Sequence, residues 1–170
     1  MKSSTRLRFK MILDGKKEAA LLREEIKKEI FFLKEKQNKS PSLTVILIGD
    51  FAPSKIYVKN KEKNSKEVGI NSEVIKYSES VTEKEILNKI NEINKNTNIS
   101  GILVQLPLPK QINKEKIINA IHPKKDVDGF HPINVGNLSS GYNAIVPCTP
   151  LGCLFLIKKV EKNLSGKHAV

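Results

Sequence analysis

Tyr57 and Lys61 stand four residues apart, so on a helix they lie one above the other on the same face. A lysine held in a partly desolvated pocket has its charged form disfavoured and can act as acid or base near neutral pH. A neighbouring phenol can orient it and stack on a flat substrate. On spacing alone, a tyrosine and a lysine one turn apart are more often an ordinary surface pair. Two carboxylates, Asp126 and Asp128, stand immediately before Gly129 in the run DVDG. A metal site would need more oxygen ligands at regular spacing, and the sequence lacks them. A turn with one solvent-exposed and one functional aspartate fits better. Such a carboxylate can accept two parallel hydrogen bonds from an amino-pyrimidine edge; an Asx-type turn residue carries comparable weight.

Other chemistries are poorly supplied. His122, His131 and His168 have no metal-ligand spacing, and a lone histidine is usually structural. Cys148 and Cys153 are five apart, neither a zinc pair nor a redox CxxC, and read as small core residues. No Ser/His/Asp arrangement is visible. Neither GxGxxG nor a P-loop occurs in the 170 residues, so no complete nucleotide site is expected in them.

The elements that must position these residues alternate. A helical stripe of Leu22, Ile26, Ile30 and Leu33 runs between Asp14 and about Lys36 and is broken by Pro41. LTVILIGD, Leu43 to Asp50, is β-branched and nearly all apolar, as is a strand buried on both faces of a parallel sheet. Pro53 opens a helix to Val68, with Gly69 as its stop. Asn71 to Tyr77 reads as a second strand. Thr82 and Glu85 form a capping box ahead of a helix through Ile86, Ile90 and Ile93. GILVQL, Gly101 to Leu106, is a third buried strand halted by Pro107 and Pro109, and a short helix follows near Lys114 to Ile121. After the polar loop KDVDGFHP, Thr149 and Pro150 look like the N-cap and first position of a helix ending near Lys162. Lys167 to Val170 reads as the start of another strand, which makes the chain look like a fragment.

This alternation predicts an α/β class with a mostly parallel sheet and right-handed crossovers, a three-layer α/β/α arrangement. Ligands gather outside the carboxyl ends of such strands. Asp50, Gln105 and the Tyr57/Lys61 helix fall there. The net charge of +12 raises a nucleic-acid reading, but the lysines are interleaved with glutamates, as in KKEAALLREEIKKEI. That pattern is a solvated helix face, and no nucleic-acid signature accompanies it. No apolar run approaches the roughly 20 residues of a membrane span. The cysteine usage and an N-terminus without an apolar core favour a cytoplasmic setting. MKSSTRLRFK, residues 1–10, reads as a basic extension ahead of Met11, which is a candidate true start.

Taken together, VILIGD…APSKIYVKNK, GILVQLPLP, KDVDGFHPINVG and PCTP occur in one order at sensible intervals. From Met11 to Val170 the chain resembles the bifunctional methylenetetrahydrofolate dehydrogenase/methenyltetrahydrofolate cyclohydrolase family. The resemblance implies an amino-acid-dehydrogenase-like folate-binding catalytic domain over residues 11–163. Residues 164–170 would then begin a Rossmann-like NADP domain, the rest of which lies outside this sequence. It implies Lys61 as the catalytic lysine of the cyclohydrolase step, Tyr57 stacking on the substrate, Gln105 bonding the lysine and Asp128 anchoring the pterin. Leu106, Pro107, Pro147, Thr149 and Pro150 would wall the folate cleft. The implied reactions are NADP-dependent oxidation of 5,10-methylenetetrahydrofolate and hydrolysis of the methenyl product to 10-formyltetrahydrofolate, in one-carbon metabolism and purine biosynthesis. A homodimer is implied for the full-length family, with no metal, membrane or nucleic-acid partner. Ser100 departs from the family's usual aspartate. The isolated chain is expected to lack the dehydrogenase activity; the alternative is a non-catalytic folate-binding remnant.

Overall fold

The structure, a computed structural model, describes residues 12–168. The expected extension at residues 1–10 lies outside the described residues. Three strands, β1 (Ser42–Ile48), β2 (Asn71–Tyr77) and β3 (Gly101–Val104), form a parallel sheet in the order β2-β1-β3. Val45 of β1 is level with Val74 of β2 and with Leu103 of β3. β1 ends two residues before Asp50, because Gly49 turns the chain with φ +75°. β3 ends at Val104, though Gln105 still donates one more backbone bond to Ile46 O at 2.9 Å.

Side chains of a strand alternate between faces, and both faces here are apolar. On one face Ile46, Ile48, Ile102 and Val104 pack against α3 (Glu83–Lys95) and α4 (Lys114–Ala120) through Ile86, Ile90, Ile93 and Ile117. α3 has the expected capping box: Thr82 Oγ1 accepts from Glu85 N at 3.3 Å, and Glu85 Oε2 accepts from Thr82 N at 2.9 Å. On the other face Val45, Leu47 and Leu103 meet Val58 of α2 (Ala52–Val68). α1 (Gly15–Gln37) packs on α2, giving the expected three layers.

α1 departs from its expected stripe. Ile30 is buried, with its Cγ2 3.3 Å from where a Cβ on Gly69 would lie, but Leu22 and Leu33 are exposed. The helix rests on another helix rather than on the sheet, so the contact is narrow; Arg23 Nε pairs with Glu67 at 3.1 Å beside it.

The last third differs most from expectation. α5 (Pro132–Ser139) follows the polar loop in a stretch to which the sequence reading assigns no element, and α6 (Cys148–Val160) starts earlier than Thr149. Pro147 is the N-cap residue, and Pro150 sits within the first turn, where a missing N–H has no intrahelical partner to lose. Both cysteines are exposed on α6 rather than in the core, because this helix buries no residue completely. Lys167 and His168 are not in a strand, and the remaining two residues of that expected strand lie outside the described residues.

Candidate functional site

A cleft of about 680 Å³ opens on the α2 side of the sheet, a size typical of small-molecule sites. Leu43 and Leu103 line it from the sheet, Tyr57 and Lys61 from α2, and Gln105 and Asp128 from the loops. Local rules bring these together. Pro53 lies in the first turn of α2, and Gly69 ends the helix at φ +92°. Val58 faces the sheet, and the adjacent Tyr57 and Lys61 are left on the cleft side. Tyr57 is largely exposed and Lys61 half-buried. Gln105 follows β3 directly, and the ammonium of Lys61 donates to its Oε1 at 3.2 Å.

Asp128 arrives by a different route. A parallel bridge between Ile102 and Asp126 lays the loop along the outer edge of β3. A Cβ at Gly101 would collide with Val127 Cγ1, so glycine at the start of β3 is what lets this loop approach. Gly129 then turns the chain at φ +69°, with its Cβ position 2.6 Å from Ile145 O.

The two aspartates have divided their work, though not as expected. Neither is fully exposed, and Asp126 is the more deeply buried. Its Oδ2 accepts from His131 N and from Asn134 Nδ2, both at 2.8 Å. Asn134 also donates to Pro123 O at 2.9 Å, and His131 caps α5 by accepting from Ile133 N at 3.1 Å. Asp126 therefore ties the loop to α5. Sequence reasoning missed this network; the His131-Pro132 step, a cap followed by a proline at the first helical position, was the available signal. Asp128 is half-buried in the cleft. Burial raises its pKa above the ordinary carboxylate value; the Lys61 charge opposes this and the Asp126 charge adds to it.

Not every candidate converges. Asp50 is highly exposed, pairs with Lys55 at 2.6 Å and lines other hollows. Leu106 faces a small void beneath the sheet's other side with Ile102 and Ile117, and Pro107 borders a surface hollow with Asp50 and Glu79. Of the PCTP run, Cys148 and Thr149 line the cleft, whereas Pro147 and Pro150 do not. Cys148, expected in the core, stands with its Sγ 4.0 Å from Val127 O. Ser100 Oγ accepts from Ser42 N at 3.2 Å at the cleft's far end.

Among the described residues no group of three or more His, Cys, Asp or Glu side chains could hold a metal ion. A dinucleotide also fits poorly. The turn after β1, where a doubly wound fold would seat a pyrophosphate, reads Gly49-Asp50-Phe51-Ala52-Pro53, and its carboxylate would meet the phosphates. No described helix is long and apolar enough to cross a membrane.

A small-molecule cleft on one face of a parallel sheet, with a lysine, a tyrosine, a glutamine and an aspartate at its walls, defines an α/β protein with a candidate small-molecule site. The chain belongs to the family described as tetrahydrofolate dehydrogenase/cyclohydrolase, catalytic domain, whose sequence profile matches residues 13–128. It is 65% identical over 160 residues to the bifunctional protein FolD of Pelagibacter ubique, covering 94% of this chain and 57% of that protein. The FolD protein of Rickettsia akari is 49% identical over 166 residues, with 94% and 56% covered. The crystal structure of the Campylobacter jejuni FolD methylenetetrahydrofolate dehydrogenase/cyclohydrolase superposes with a TM-score of 0.88 at 47% identity, covering 92% of this chain and 56% of that one. The Trypanosoma brucei dehydrogenase-cyclohydrolase, solved with NADP cofactor and an inhibitor, also gives 0.88, at 29% identity, with 92% and 54% covered. The chain thus spans a little over half the length of the curated relatives it matches.

Proposed function

We propose that this chain supplies the folate-binding, catalytic half of a methylenetetrahydrofolate dehydrogenase/cyclohydrolase, with residues 11–163 as the catalytic domain and residues 164–170 leading toward an NADP-binding domain. The observation that carries the reading is the Lys61–Gln105 hydrogen bond inside a cleft that Tyr57 and Asp128 also line. Tetrahydrofolate derivatives are the substrate class, and the cytoplasm is the proposed setting.

The hydrolytic step uses groups of this chain. Water adds to the electrophilic amidinium carbon of methenyltetrahydrofolate and loses one proton to solvent; one carbon–nitrogen bond of the resulting tetrahedral centre then breaks as the remaining hydroxyl gives up its proton to form the formyl carbonyl, and the departing nitrogen takes up a proton. A positioned amine can carry that proton from hydroxyl to nitrogen, a contribution of about 10²–10⁴-fold for general acid–base help. Lys61 fills this role, held by Gln105. Asp128 accepts paired hydrogen bonds from the pterin's amino-pyrimidine edge, and Tyr57 stacks on the flat ring. Thr149 lines the cleft, whereas Leu106, Pro107, Pro147 and Pro150 lie outside its lining and are assigned to the folate site on the family resemblance alone. When bound, NADP would supply a hydride acceptor; the residues described here do not fit it, and no step is assigned to it. Residues 1–170 alone are therefore expected to hydrolyse the methenyl compound without reducing NADP.

The test is methenyltetrahydrofolate hydrolysis by residues 1–170 beside Lys61→Ala and the buffer rate. Hydrolysis above buffer that disappears in the variant supports the proposal. A folded wild-type chain that only matches buffer would contradict catalysis and favour a non-catalytic folate-binding remnant.

A further inference from the structure

Asp128 reaches the cleft on a loop, so it is only as fixed as that loop. On the side toward α5 the loop is tied by Asp126, through His131 and Asn134. On the other side it is tied by Lys125, which does not line the cleft. The ammonium of Lys125 donates to Ile93 O at 2.8 Å and to Asn96 O at 2.7 Å. Both carbonyls lie at the C-terminal end of α3, where a helix has acceptors without intrahelical donors and a partial negative charge. A lysine commonly serves such an end from its own last turn; this one reaches it from 32 and 29 residues along the chain. α3 is a firm anchor, because Ile86, Ile90 and Ile93 are buried against the closed face of the sheet. The backbone of Lys125 is held as well: it ends a single 3₁₀ turn, Pro123–Lys125, and its N–H donates to His122 O at 2.7 Å. Asp126 follows at once with its bridge to Ile102, and Asp128 comes two residues later.

We propose that Lys125 is a positioning residue for folate binding: by seating its ammonium on the end of α3 it fixes the loop that delivers Asp128 to the cleft. This rests on the proposed role of Asp128 as the anchor of the pterin. Lys125 acts through the backbone between the two residues and through nothing else. Without its ammonium the loop keeps the Asp126 ties and the Ile102 bridge but loses its hold on α3. Asp128 then spends more time in solvent. Paired hydrogen bonds to an amino-pyrimidine edge need a carboxylate held in one orientation, so a loosened loop must be ordered again each time the ligand binds.

The experiment compares wild-type residues 1–170 with Lys125→Met, which keeps an apolar stem and loses the donor, and Lys125→Arg, which keeps a cationic donor. Asn94→Ala is the control for general loosening: Asn94 ties the same helix end to Ala120 O and His122 N, ahead of the turn. Each protein is read for melting temperature, for the Kd of 5-formyltetrahydrofolate, and for the pKa of the Asp128 carboxyl by carbon NMR without ligand. That pKa stands above the ordinary carboxylate value through burial, with the Lys61 charge opposing and the Asp126 charge adding. In Lys125→Met the Kd rises about two- to thirtyfold, the range for residues that act on a site through others. The Asp128 pKa falls back toward its ordinary value as the loop takes up water. Loss of a positive charge alone would raise it, so the sign separates a moved loop from a missing charge. Lys125→Arg restores both readings, and Asn94→Ala lowers the melting temperature while leaving both as in wild type. Should Lys125→Met fail to fold, Lys125→Gln, a neutral donor, is read in the same way. Unchanged folate binding, an Asp128 pKa that stays or rises, or equal weakening in Asn94→Ala would overturn the proposal. A wild type that binds no folate would sink the folate reading, while the Asp128 carboxyl would still decide whether Lys125 places it.

Discussion

The two faces of one small sheet have been used in opposite ways. Behind it, Ile46, Ile48, Ile102 and Val104 are sealed by four isoleucines of α3 and α4, and polar contacts such as Asn94 Nδ2 to Ala120 O at 2.7 Å serve to tie those helices together. In front, Val45, Leu47 and Leu103 cluster with Val58 of a single helix, and the remainder of that side holds the cleft. The strands are the same and equally apolar, so strand chemistry does not distinguish the faces. The difference is in what covers them. Two helices with regular isoleucine spacing close a face, and one helix bearing lysine and tyrosine leaves it open for chemistry.

The comparison can be broken at either face. The largest effect is expected from Lys61→Ala in front: a loss of about 10²–10⁴-fold in methenyltetrahydrofolate hydrolysis, with the urea midpoint nearly unmoved because the side chain is only half-buried. Behind, Ile90→Ala removes a fully buried side chain and should cost about 2–5 kcal/mol of stability in urea unfolding. Leu103→Ala borders the cleft, where neighbours already have space, and should fall at the low end of that range. Equal losses would mean that the front is as tightly closed as the back.

Asp128 sharpens the contrast through pH. Burial is the largest influence on it and raises its pKa, more than the Lys61 charge lowers it. The folded chain therefore holds this proton more tightly than the unfolded chain does. The stability it contributes is present in acid and is lost as pH rises through the raised value. Asp128→Asn should accordingly melt higher than wild type at neutral pH, with the gap closing in acid. Binding runs the other way, since anchoring an amino-pyrimidine edge needs the ionised carboxylate. Wild-type KM should climb as pH falls through that raised value, and Asp128→Asn should show a high, flat KM. The smallest effect is expected from Asp50→Asn, because an exposed pair with Lys55 outside the cleft leaves hydrolysis unchanged.

The closed face was the more legible in sequence. Isoleucines at 86, 90 and 93 behind a Thr82/Glu85 box carry a period and a start signal that belong to one element, and local rules suffice. The β1 and β2 runs and the Pro53/Gly69 limits of α2 are of the same kind. The open face depends on long-range approaches. Nothing local says that Gly101 makes room for Val127, or that Asp126 rather than Asp128 is tied down by His131 and Asn134. Lys125 carries no signal at all, because its partners are backbone carbonyls 32 and 29 residues away. The cysteines were misplaced for the same reason: their burial depended on what α6 packs against, not on their own type. The pairing of Tyr57, Lys61, Gln105 and Asp128 came from the motif resemblance, and spacing alone left the first two as a surface pair.

The most direct test of the division between faces is to map where a folate binds. Titrating residues 1–170 with 5-formyltetrahydrofolate, a stable analogue, and following backbone and side-chain NMR signals would do this. The account predicts perturbations gathered at Tyr57, Lys61, Gln105 and Asp128, with Ile90 and Ile117 silent. Perturbations centred on α3 and α4, or none from a folded chain at saturating ligand, would contradict it.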